Sequence, residues 1–127
     1  MKSILLISAS LFWTISSTGQ TTNPNLDSAL AKSLGADDYG MKKYVLVILK
    51  TGSNTSTNKT TTDSLFAGHL KNINRLADLK KLVVAGPLGK NENDFRGIFI
   101  LDVTSLEEAK KLLETDPAIK AKLLEFL

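Results

Sequence analysis

The apolar residues of this chain fall into short blocks in the order strand, helix, strand, strand, helix. That order limits the fold more than any other feature of the sequence. Lys43 to Lys50 (KYVLVILK) is apolar on both alternations and rich in β-branched residues, as suits a central strand covered on one face or both. Thr51 to Thr62 carries no apolar side chain and reads as a solvated loop. Asp63 then suits a helix N-cap. Phe66, Leu70, Ile73, Leu76 and Ala77 share one helical face, while Lys71, Asn74, Arg75 and Asp78 point away. His69 follows Phe66 by three residues and precedes Ile73 by four, which puts it in the core-facing sector; Gly68 falls on the outer face. Lys81 to Ala85 is a second strand, ended by Gly86-Pro87-Leu88-Gly89. After a polar turn, Phe95 to Val103 is a third strand, and the short link makes the two a hairpin. Gly97, Phe99, Leu101 and Val103 take one side of it, and Arg96, Ile98, Ile100 and Asp102 the other.

Ser105-Leu106-Glu107-Glu108 is a capping-box pattern opening a second helix, whose buried face is Leu106, Ala109, Leu112 and Leu113. Asp116-Pro117 restarts the chain as a short helix, and Glu125-Phe126-Leu127 can begin a last strand. This is an α+β, ferredoxin-like split βαβ order whose last strand is short or missing. It predicts an antiparallel sheet with both helices on one face. The other face keeps large apolar residues from strands one and three, an exposed patch in a monomer. Two such sheets packed face to face make a dimeric α/β barrel, so a homodimer through the open sheet face is expected.

A chain of 127 residues holds one domain of this kind. Met1-Lys2, an apolar stretch from Ile4 to Ile15 and the small residues Ser16 to Gly19 have the three-part pattern of a secretory signal peptide. The expected division is a signal at 1–19, a leader with a short helix at 20–40 and the domain at 41–127. The alternatives for the first stretch are a buried element or an uncleaved anchor. Cleavage leaves an exported protein, periplasmic or extracellular, with no stable membrane anchor. Gln20 to Asn25 reads as disordered, and Leu26, Ala29, Leu30 and Leu34 as a short helix stopped by Gly35. The absence of cysteine removes disulfides, a cysteine nucleophile and thiolate metal sites, and the single histidine removes a multi-histidine metal site. Metal and cofactor are therefore both expected to be none. The net charge of +3 is scattered, so nucleic acid is not an expected partner.

From Lys43 to Leu124 the chain resembles the YCII-related domain family. The matching pieces are KYVLVILK, Gly68-His69-Leu70 with Leu76, LVVAGPLG, Gly97-Ile98-Phe99-Ile100, Ser105 to Ala109, and Thr115-Asp116-Pro117-Ala118. Their order and spacing carry the resemblance more than any one piece. It implies a ferredoxin-like fold, face-to-face dimers and a pocket holding a His and an Asp, which fall here on His69 and Asp116. Relatives of the same architecture include muconolactone isomerase-like proteins and small monooxygenases, and the family as a whole has no established reaction. The chain departs from the pattern at Asp78-Leu79-Lys80-Lys81, where a glycine is usual. A residue other than glycine at positive φ costs roughly 1 kcal/mol, so a rebuilt turn is expected there.

An imidazole exchanges protons near neutral pH. A carboxylate on one ring nitrogen fixes the tautomer and frees the other nitrogen as general base or acid. Gly86 and its turn can offer backbone N–H groups to a substrate oxyanion, and Arg96 can hold an anionic group. The candidate catalytic residues are thus His69 and Asp116, with Gly86 and Arg96 binding a small organic molecule in a cofactor-independent isomerase or lyase. Each has a plainer role: core histidine, helix cap, turn and cross-strand charge. The rival functions are a non-catalytic exported dimeric ligand-binding or stress-response module, and a chain truncated at its carboxy terminus and without activity.

Overall fold

The computed structural model describes residues 23–127. The expected signal segment lies outside the described residues. The chain divides between Gly40 and Met41 into two compact units. In the first, α1 (Ser28–Ser33) is capped by the Asp27 carboxylate, which accepts from the Leu30 amide. Gly35 follows at φ +72°. Asn23 to Asn25, the described part of the stretch expected to be disordered, lies in a turn closed by Leu26 N–H to the Asn23 carbonyl (3.0 Å). Of the leader's helix only Ala31 is buried; Leu30 and Leu34 are exposed.

The second unit runs β1 (Val45–Thr51), α2 (Lys59–Asp78), β2 (Leu82–Pro87), β3 (Phe95–Leu101), α3 (Leu106–Leu113), α4 (Pro117–Lys120) and β4 (Leu124–Phe126). The strands lie in the order β2-β3-β1-β4 with antiparallel neighbours, the ferredoxin-like arrangement. The last strand is short but present. It pairs Phe126 with Leu49 and Leu124 with Thr51, and Leu127 exchanges both backbone hydrogen bonds with Ile48. Val47 and Leu49 of β1 and Phe99 and Leu101 of β3 pack with Leu76 of α2, Ala109 and Leu113 of α3 and Ala118 of α4 in one core. The residues between them on the strands, Leu46, Ile48, Ile98 and Ile100, are exposed or half-buried.

Two helix boundaries differ from expectation. Asn58, not Asp63, caps α2, accepting from the Thr61 amide, so the helix starts inside the polar run. Threonine is a poor helix former, but a good cap and a long packed helix override that weakness. At its end, Lys80 takes φ +59° in place of the usual glycine. Lys80 N–H bonds the Ala77 carbonyl and Lys81 N–H the Leu76 carbonyl, so the expected rebuilding does not occur. A lysine adopts the left-handed position because both bonds and the following strand require it. Ser105 caps α3 as expected, but the Glu108 carboxylate accepts from Lys81 Nζ (2.8 Å). Leu106, placed on the buried face by spacing, is exposed.

Candidate functional site

The middle of α2 faces the covered side of the sheet, and His69 is the ionisable group it buries there. The imidazole stacks on Phe99 (6.0 Å between centroids, 18° between planes) and meets Phe66 edge-on (6.1 Å, 85°). Its Nδ1 lies 2.7 Å from Oδ2 of Asp116. Asp116 is 1% exposed and is the N-cap of α4, its Oδ1 accepting from the amides of Ala118 (2.9 Å) and Ile119 (3.3 Å). Burial pushes the Asp116 carboxyl upward, but the His69 hydrogen bond and charge and the two amides outweigh it. They hold the group below the usual carboxylate range. Asp116 is thus both the cap and the imidazole's partner, so the plainer role and the functional one coexist in one side chain.

An ionised carboxylate only accepts, so Nδ1 donates and carries the proton. Nε2 has no hydrogen-bond partner among the described residues. No buried side-chain nitrogen or oxygen among them lacks a partner, so Nε2 is the atom open to the adjoining cleft. That cleft has a volume of about 380 Å³. Phe66, Ile73, Leu49, Phe99 and Leu124 make its walls apolar, and His69 and Arg96 supply its ionisable groups. Leu70, placed in the core by its spacing, also lines the cleft and is 62% exposed.

Arg96 reaches the cleft because β3 has a bulge. Leu49 pairs with Gly97 but Lys50 with Phe95, which leaves Arg96 without a partner on β1. Strict alternation would put Arg96 with Ile98 and Ile100 on the opposite face; the bulge re-aims it. Gly86 lines the cleft too, yet it sits inside β2 opposite Ile98, not in a free turn. Leu88 N–H already donates to the Arg96 carbonyl (2.9 Å), so one of the expected oxyanion donors is spent on the hairpin.

Sequence reasoning missed the groups below the pair. Asn72, one turn after His69 and 8% exposed, accepts through Oδ1 from Nε (3.1 Å) and Nη2 (2.8 Å) of Arg75. Arg75 Nη2 also reaches Thr115 Oγ1 (2.7 Å), and that hydroxyl lies 3.1 Å from Asn72 Oδ1 and 2.6 Å from the Leu112 carbonyl. Arg75 therefore does not simply point away. Gly68 is not on the outer face either: a Cβ there would stand 2.8 Å from Cγ of Pro117. The available signal for Asn72 was its three-residue spacing from His69.

Among the described residues, no helix is long and apolar enough to cross a membrane, and no three His, Cys, Asp or Glu side chains are grouped to hold a metal ion. The YCII-related domain profile matches residues 43–126. A similar solved structure is that of 5-chloro-2-hydroxyhydroquinone dehydrochlorinase from Burkholderia phenoliruptrix AC1100, in complex with 2,5-dihydroxybenzoquinone. It is 24% identical, covers 65% of this chain and 89% of its own, and has a TM-score of 0.44. No curated protein matches the chain.

Proposed function

The chain belongs to the YCII-related domain family, and from that premise we propose that its cleft performs cofactor-independent proton transfer on a small organic molecule, as an isomerase or lyase. The observation that carries this is the imidazole whose Nδ1 is held by a buried carboxylate while Nε2 opens onto an apolar cleft. Nε2 takes a proton from an acidic C–H or O–H of the substrate, and Asp116 stabilises the resulting imidazolium. The electron pair released either shifts a double bond, with the proton returned to a different atom, or expels a leaving group. Arg96, with no ion-pair partner among the described residues, holds an anionic group on the substrate. The apolar walls favour this chemistry, because charge interactions strengthen where water is excluded.

The protein works as a homodimer through the open sheet face, where Leu46 and Val84 are exposed beside Ile48, Ile98 and Ile100. It works after export, supported by the amino-terminal sequence pattern alone. The test is solvent deuterium exchange, followed by proton NMR, on a panel of small carboxylates with an acidic C–H beside a carbonyl. Exchange is expected for at least one compound and is expected to stop in His69→Gln, which keeps size and a hydrogen bond. Exchange that persists in that variant takes the imidazole out of the reaction. Binding without exchange across the panel favours the second reading, a ligand-binding module, for which the largely apolar cleft speaks.

A further inference from the structure

Three consecutive residues meet α2 in turn. Thr115 meets Arg75 and Asn72, Asp116 meets His69, and Pro117 packs at Gly68. Asp116 is therefore held from both sides. On one side, Gly68 lets Pro117 approach as closely as a side chain there would forbid. On the other, the Arg75 guanidinium grips Asn72 Oδ1 with two nitrogens and passes one of them on to the Thr115 hydroxyl. A buried amide is costly unless its hydrogen bonds are made, so Asn72 at that position has a specific task. Its Oδ1 fixes the guanidinium, and the guanidinium fixes the residue immediately before Asp116. A charge-assisted contact such as that between Asp116 and His69 weakens quickly as its geometry opens.

We propose that Asn72, Arg75 and Thr115 are positioning residues that hold the Asp116 carboxylate on Nδ1 of His69, and so keep the proton off Nε2; this rests on the proton-transfer role proposed above. They touch no substrate. Their effect is read in the imidazole tautomer.

His69 is the chain's only histidine, so the ring nitrogen spectrum of the full chain contains a single imidazole. Two-dimensional proton–nitrogen NMR, at a pH where the ring is neutral, gives the ratio of the Nδ1–H to the Nε2–H form. In the unaltered chain the Nδ1–H form dominates. Arg75→Met keeps the aliphatic stem at an exposed position and removes every donor. Thr115→Val keeps the shape and removes the hydroxyl. Each is expected to lower the ratio roughly threefold to tenfold, the population equivalent of losing one hydrogen bond. Thr115→Ser is expected to restore it. An unchanged ratio in a folded Arg75→Met, whether or not Thr115→Val folds, overturns the clamp and leaves Asn72, Arg75 and Thr115 as structural ties. Asp116→Asn serves as the separate control. If the ratio is unmoved there, the pairing of His69 with Asp116 fails, and with it the proton-transfer role itself.

Discussion

Along β1, Val47 and Leu49 are 2% and 3% exposed while their neighbour Leu46 is 60% exposed. On β3 the same contrast separates Phe99 and Leu101 from Ile98 and Ile100. Both faces of the sheet are apolar, so composition does not distinguish them. What covers them does. The helix-covered face is closed by α2, α3 and α4, and it is there, among hydrocarbon, that the His69–Asp116 pair lies. Apolar character marks an interior on one face and an unsatisfied surface on the other. The polar chemistry sits on the covered side, because a carboxylate held by an imidazole and two amides gains strength where water is scarce.

That contrast can be broken by substitution. Leu101→Ala, at a fully buried site, is expected to cost about 2–5 kcal/mol in urea denaturation. A loss below about 1 kcal/mol would mean that the covered face is not closed as described. Next comes Asp116→Ala, which removes a helix cap and strands the His69 Nδ1 donor, for about 2–3 kcal/mol. Asp116→Asn retains the cap and loses about 1 kcal/mol or less. Equal losses in the two would show that the cap contributes nothing.

Asp116 also gives the covered face an acid limb. Its folded pKa is depressed, so its contribution to stability is complete above the ordinary carboxylate range. That contribution fades as pH falls through this range toward the lowered folded value. Thermal melts between neutral pH and acid should therefore fall less steeply in Asp116→Asn than in the unaltered chain. On the open face the effects are smallest. Leu46→Thr should change unfolding of the isolated subunit by no more than about 0.5 kcal/mol, yet abolish self-association in sedimentation. An unaltered chain that sediments as a monomer would remove the homodimer and leave the open face unexplained.

Much of the fold was legible because secondary structure follows local periodicity. The grouping of Gly97, Phe99 and Leu101 on one side of β3, the Ser105 cap and the restart at Asp116-Pro117 were all readable from spacing, whereas the side that turns inward was not. The misplacements have local physical causes too. One bulge turned Arg96 from the open face to the cleft. Asn58 out-competed Asp63 as a cap because its side chain reaches the Thr61 amide. Leu70 sits on the helical stripe, yet the stripe extends past the sheet contact into the cleft mouth, and nothing in periodicity marks where a neighbour ends.

The sequence by itself determined the order of the elements and an imidazole on the inner half of α2. Only the tertiary structure decided that this imidazole, 47 residues from Asp116, meets it at 2.7 Å with Thr115 and Pro117 tied on either side. The reason is range. Spacing encodes which way a side chain faces within a turn or two, whereas the meeting of α2 with the α3–α4 junction depends on how whole helices seat on the sheet. The short pattern around each residue carries no record of that seating.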